Sequence, residues 1–392
     1  MTTLKQTLHV LMLFLGMHRA RLRDGLLIVA GFVLAAATLA VLLAIPSGLQ
    51  RLGANTGRDD IAMVIGARAI DEASSSISAQ EAQLIGTLPQ VARDARGEPL
   101  LATQFIGTTK LARRDGVKTT VQVRGVDAGT WAILGEGAAK GRLPADGARE
   151  LLAGVQATAQ FPMLAGNELT LRDATWAING RMDHGGNLWD SELWAELSAV
   201  QAAYRAPSRF SVVLAKLGNA ADFDAFNAAL KSDPRLSGVQ AQRQSSYYAK
   251  RTGFLAKLMG WAALGIAVLL GAGAALAIAN ALSSVLERRR REAGALRALG
   301  FRSDSVLLAS LLEVLLLGAI ASAAAFVLMH LLLHGRAFGT SSGGHAIYAQ
   351  LQLGADVGLA VLGYALLLGL LAALLPVRRL AFGKILAALR AD

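Results

Sequence analysis

Hydrophobic positions along the chain fall into two regimes. Residues 26–45, 258–282, 305–333 and 357–375 are apolar almost without interruption. A helix rises about 1.5 Å per residue, so about 20 such residues cross a hydrocarbon core of roughly 30 Å. Each stretch is therefore expected to be a membrane-spanning helix. Pro46 is expected to end the first and Pro376 the last. The first is too long for the apolar core of a secretory signal and is read as an uncleaved span. Between the first two stretches the period changes. Residues 119–124 and 210–214 alternate as strands do, and residues 81–88 and 221–230 carry the period of short amphipathic helices. Glycine and proline cluster at 137–147, where an internal boundary is expected. Ahead of the first span, Leu4, Leu8, Leu11 and Leu15 recur at helical spacing before Arg19, Arg21 and Arg23. That pattern predicts an amphipathic helix along the inner membrane face, in contact with lipid.

The expected fold class is a membrane protein: four transmembrane α-helices with a large α/β (α+β) extracytoplasmic domain between helices 1 and 2. In order, the chain divides into a cytoplasmic amphipathic helix (1–25), a first span (26–45) and the extracytoplasmic domain (46–253). A second span with a stalk (254–282), a cytoplasmic loop (283–304) and a third span (305–333) follow. An outer loop (334–356), a fourth span (357–377) and a cytoplasmic tail (378–392) complete it.

Composition and charge sharpen this picture. The chain has 392 residues, is 54% hydrophobic and has a mean hydropathy of +0.44. Its net charge of +11 is uneven. Residues 46–253 hold 23 Lys and Arg against 21 Asp and Glu, whereas 1–25, 283–305 and 376–392 together hold 14 against 5. Basic residues beside spans stay on the cytoplasmic side, which orients the chain. Lipid and topology explain the excess there, and no folded basic surface points to nucleic acid. With no cysteine, disulfides, thiol catalysis and Cys-ligated zinc are excluded.

The densest charge lies between the second and third spans. Arg288, Arg289, Arg290, Arg291, Arg297 and Arg302 crowd this loop. Ala293, Leu296 and Leu299 or Gly300 recur on one side of it at helical spacing. Gly300 stands where a left-handed helix cap would fall, and Ser303 or Asp304 can cap the next helix. Arg289, one of four adjacent arginines, is expected to be replaceable by Gln with only a mild effect.

Residues 291–300, Arg291-Glu292-Ala293-Gly294-Ala295-Leu296-Arg297-Ala298-Leu299-Gly300, resemble the coupling loop of MacB/FtsX-type ABC transporter permeases, the transmembrane subunit of type VII ABC transporters. The family favours bulkier aliphatics at positions 293 and 295. The resemblance implies that Arg291, Glu292, Ala293, Leu296, Arg297, Leu299 and Gly300 dock on a separate ABC ATPase subunit. ATP and Mg would then be bound there and not by this chain, and Leu296→Asp would lose the ATPase. Residues 150–204 are similar, more diffusely, to the family's periplasmic domain, through Gly154, Gly166, Trp176, Trp189, Asp190, Glu192 and Trp194. The Pro376-Val377-Arg378-Arg379 exit and terminal Ala388-Leu389-Arg390 are also similar, although Ile385 and Ala387 replace a customary proline and acid. Further implied partners are a second permease copy or homologous permease and a periplasmic adaptor. The implied location is the bacterial inner membrane, with the large domain in the periplasm.

Three further features carry structural weight. The second span has small residues at every fourth position, Ala263, Ala267, Gly271, Ala275 and Ala279, a row along which another helix can approach. The third span holds Glu313 eight residues in, roughly 12 Å deep, where a carboxylate needs a partner. A contact near the loop fits it better than a proton site. Trp176, Trp189 and Trp194 are read as core packing ahead of a binding surface. His330, His334 and His345 form no metal-ligand spacing and are read as surface or interfacial.

No catalytic, cofactor or metal motif appears. There is no phosphate loop with Gly-Lys-Ser/Thr, and Gly135, Gly137 and Gly141 miss a dinucleotide fingerprint by one residue. The chain is read as non-enzymatic, and the resemblance implies a permease subunit of an export system. The alternatives are lipoprotein extraction, non-transporting signalling to cell-wall hydrolases, and a static membrane-anchored binding protein.

Overall fold

The computed structural model describes residues 3–18, 22–163, 166–342 and 344–382. It divides into a membrane unit, Met1–Ser47, Lys257–Gly335 and Leu351–Asp392, and an α/β unit, Gly48–Ala256 and Arg336–Gln350.

The long helices are α1 (Thr3–His18), α2 (Leu22–Ala54), α3 (Gln244–Arg288), the short α4 (Arg290–Ala298), α5 (Ser303–Leu333) and α6 (Ala355–Phe382). Among the described residues, α2, α3, α5 and α6 are the four helices long and apolar enough to cross a membrane. Two expected ends are corrected. α2 runs through Pro46 and α6 through Pro376. A proline's φ suits a helix, and what it forfeits is one N–H bond and room beside the carbonyl four residues back. Packing holds the turns on: Ala44 and Val377 are wholly buried. The tail residues Ile385, Ala387, Ala388, Leu389 and Arg390 lie outside the described residues.

Within the membrane unit, Phe32 of α2 packs with Ile278 of α3, Val314 of α5 and Leu368 of α6 in one core. The small row of α3 faces α6. Tyr364 donates its hydroxyl to the Ala267 carbonyl at 2.8 Å, and a Cβ on Gly271 would come within 2.5 Å of that hydroxyl oxygen. Ala263 and Ala267 are buried, while Ala275 and Ala279 pack at the edge of the core. Overpacking costs about 1–3 kcal/mol. Gly271→Leu is thus expected to lower the thermal midpoint of the detergent-solubilised protein. Val268→Leu, on the exposed side of α3, should leave it unchanged.

On α1, Thr7 and Val10 are buried, Val10 against Ala309 of α5 with Leu11 packed alongside, whereas Leu8 is exposed. Gln6 ties α1 to the start of α5, its Oε1 accepting from the Arg302 N–H and the Ser305 hydroxyl, both at 3.3 Å. The side chains of Leu4, Leu15, Arg19, Arg21 and Arg23 lie outside the description.

The α/β unit is built on a ten-stranded mixed sheet. Across it run Val239–Arg243, Ile61–Gly66, Val212–Lys216, Leu101–Ala112, Lys118–Val126, Leu193–Glu196, Glu150–Gly154, Ala174–Met182 and Ala139–Gly141, with Glu168–Leu171 pairing Ala174–Met182. All pairings are antiparallel except Lys118–Val126 with Leu193–Glu196 and Glu150–Gly154 with Ala174–Met182. Short helices cover it. Ala79–Gly86 opens with a capping box between Ser78 and Glu81, and Phe223–Ser232 buries Phe226 and Leu230. The expected boundary at 137–147 is not one, since Ala139–Gly141 adds a strand to the same sheet. Trp176, Trp189 and Trp194 are buried.

The expected outer loop contains a hairpin, Ala337–Ser342 with His345–Gln350. Tyr348 joins the core of the α/β unit, edge-on to Phe161, and its N–H donates to the Ser191 hydroxyl at 3.0 Å. His345 is buried there, correcting its surface assignment. His330 and His334 stack at 4.4 Å in the membrane unit. No group able to hold a metal ion occurs among the described residues.

Candidate coupling site

The loop between α3 and α5 is built from two breaks. α3 stops at Arg288, and Arg289 adopts φ −91°, ψ 0°, from which α4 starts without a side-chain cap. The break aims Arg289 inward. Its Nη1 lies 3.0 and 2.9 Å from the two Glu313 oxygens, and both side chains are buried. Each supplies the charge that the other needs in a dry setting. Arg289 is therefore not one interchangeable charge among four, and the mild effect expected of Arg289→Gln is corrected. Arg290 instead pairs with Glu287 at the surface.

The far end of α4 closes as its sequence suggests. Gly300 has φ +93°, its N–H bonds the Arg297 carbonyl at 3.1 Å, and the Phe301 N–H bonds the Leu296 carbonyl at 3.1 Å. This pair of bonds is the Schellman arrangement, in which a left-handed glycine satisfies the last carbonyls. Neither Ser303 nor Asp304 caps α5, whose N-cap is Arg302, with no side-chain cap bond.

Between these ends α4 sorts its side chains. Ala293 is 2% exposed in the membrane-unit core, and Leu296 packs with Phe301 against Val10 and Ala309. The apolar face read as a docking face thus turns inward. Leu299 is 78% exposed, beside exposed Ala295 and Ala298. Glu292 and Arg297 are half-buried, and the side chains of Arg288 and Arg291 lie outside the description. The exposed apolar surface at this end of α4 is therefore Leu299 with Ala295 and Ala298.

Sequence reasoning missed Arg289, Gln6 and Tyr364. A signal existed for the first: a carboxylate at position 313 demands a cation, and the nearest basic run precedes it by 22 to 25 positions.

It also missed a charged cluster inside the α/β unit. Arg124, 1% exposed, donates from Nε and Nη2 to Glu192 at 2.7 and 2.9 Å and from Nη1 to Gln104 at 2.7 Å. Its Nη2 also lies 2.7 Å from Glu72. Burial opposes the arginine's charge, but the Glu192 and Glu72 carboxylates outweigh it and raise its pKa well above the ordinary value. The first turns of α3 join this cluster. The Trp189 indole N–H donates to the Tyr248 hydroxyl at 3.3 Å, and Arg251 lies 3.7 Å from Glu72.

Residues 264–385, which include α4, Arg289 and Glu313, match the family described as FtsX-like permease C-terminal. Part of the membrane unit is thus similar to an FtsX-like permease domain. The recognition of residues 291–300 as those of a MacB/FtsX-type ABC permease agrees with it, since the family match spans the same loop. No curated protein matches the chain. Solved structures resemble it at low similarity. The periplasmic region of MacB from Actinobacillus actinomycetemcomitans aligns at 13% identity and a TM-score of 0.37, over 49% of this chain and 92% of that one. The extracellular domain of the noncanonic ABC-type transporter YknZ from Gram-positive bacteria aligns at 12% identity and 0.35, over 46% and 99%. At these scores neither adds to the assignment.

Proposed function

We propose that this chain is the membrane subunit through which a separate ABC ATPase moves the α/β domain to export a substrate. The observation that carries the reading is α4: inward it is tied to α5 through Arg289 and Glu313, and outward it presents Leu299. A partner pushing on Leu299, Ala295 and Ala298 would load that buried pair. ATP and Mg would act on the partner subunit. The basic residues beside the spans favour α4 on the cytoplasmic side and the α/β unit in the periplasm of a bacterial inner membrane. A second permease copy, a periplasmic adaptor and lipid around α1 complete the proposed assembly.

The docking role is tested by one pair of variants. Leu299→Asp should insert and fold normally, yet recover at least about tenfold less ATPase on pull-down, because a charge desolvated without a partner costs several kcal/mol. Leu296→Asp should instead reduce the yield of folded permease, since its side chain packs internally. Full ATPase recovery with Leu299→Asp would show that α4 does not dock.

A further inference from the structure

A second site lies wholly within the α/β unit. The helices Ala128–Leu134 and Leu197–Ala203 border an open cleft of about 680 Å³. Small-molecule sites run from about 300 to 1,000 Å³. Trp131, Leu143 and Phe210 form its apolar wall. Trp131 is half-buried and its ring lies 5.5 Å from that of buried Trp194, so the indole is braced from behind.

The ionisable side chains lining the cleft are all acids: Asp127, Glu136, Asp146 and Glu196. Among the described residues none of the four has an ion-pair partner. Asp127 accepts from the N–H and hydroxyl of both Thr103 and Thr130. Glu196 accepts from Ser198, Ala199 and Gly147. Burial works against the Glu196 charge, but these bonds outweigh it and hold the carboxyl below its ordinary range. All of these donors are neutral. They orient both carboxylates and favour the charged form of Glu196 without cancelling its charge. A concave surface of one sign beside an apolar wall concentrates its field on a cation, and an indole face adds its own attraction.

We propose that this cleft binds a small organic cation, a protonated amine or quaternary ammonium on an apolar body. Its charge sits among the four acids and its body lies against Trp131. A bare metal ion is a poorer occupant, because the Asp127 and Glu196 oxygens are already committed to fixed donors. The inference does not depend on ATPase docking, since the cleft and α4 share no residue.

The test uses the full chain in nanodiscs of zwitterionic lipid, titrated against rhodamine 6G by fluorescence polarisation with empty discs subtracted. Fluorescein serves as the anionic relative. Wild-type protein should bind rhodamine 6G saturably and fluorescein not at all. Trp131→Ala should weaken binding about tenfold. Glu136→Gln with Asp146→Asn, at two exposed positions, should weaken it at least threefold with an unchanged thermal midpoint. Absence of saturable binding, equal affinity in the variants, or equal binding of fluorescein would each overturn the proposal. So would displacement of the dye by a lysine-rich peptide at concentrations where benzyltrimethylammonium has no effect, because the cleft would then serve a protein partner.

Discussion

Arg289→Gln should destabilise the membrane unit by about 3–5 kcal/mol, the usual cost of removing one member of a buried ion pair. Glu313 would be left in the core of the unit without the guanidinium that now lies 2.9 Å from it. The expected result is a sharp fall in monodisperse protein after extraction and loss of export. Arg290→Gln, at a half-exposed position paired with Glu287, should behave as wild type. The two are neighbours in the same basic run, so loss of one positive charge cannot account for a difference between them. The double variant Arg289→Gln with Glu313→Gln should recover much of the lost protein, because two neutral partners strand no charge. If Arg289→Gln alone extracts and functions normally, the pair does not hold α4 to α5.

Replacing Arg124 by Met should be still more damaging, because buried Glu192 loses its cation and Glu72 is left with Arg251 at 3.7 Å. Glu72 and Glu192 are both buried and both within 2.7 Å of the guanidinium. The variant should lose at least about 3–5 kcal/mol at pH 7. Arg124→Met combined with Glu192→Gln should recover part of the lost thermal midpoint, because a neutral amide strands no charge. No recovery in the double variant would mean that lost packing, and not stranded charge, sets the cost.

Both variants probe contacts that one-dimensional patterns do not contain. The four long helices were legible because a bilayer-spanning helix needs only length and apolar composition, both local properties. The small row of α3 was legible for a similar reason: a fourfold spacing of Ala and Gly marks an available face whatever meets it. That Tyr364 meets it required the fold. Pro46 and Pro376 misled because local propensity favours an end there, whereas packing on either side kept both helices intact. The hairpin after α5 left little trace, since Gly339, Ser341, Ser342 and Gly344 dilute its alternation and Tyr348 owes its burial to a core assembled from distant strands.

The loop that carries the proposed function divides in the same way. Its existence, its charge and the glycine that closes α4 follow from sequence, because span spacing, arginine density and a left-handed turn are each set within a few residues. Which of its side chains face inward does not. Ala293 and Leu296 form the apolar face that periodicity marks, and such a face is as well suited to the protein's own core as to a partner. Only the positions of α1 and α5 decided for the core, leaving Leu299 outside and drawing Arg289 out of a run of arginines to Glu313. Periodicity fixes that a face exists. The rest of the chain, 24 positions away in the case of Glu313, fixes what covers it.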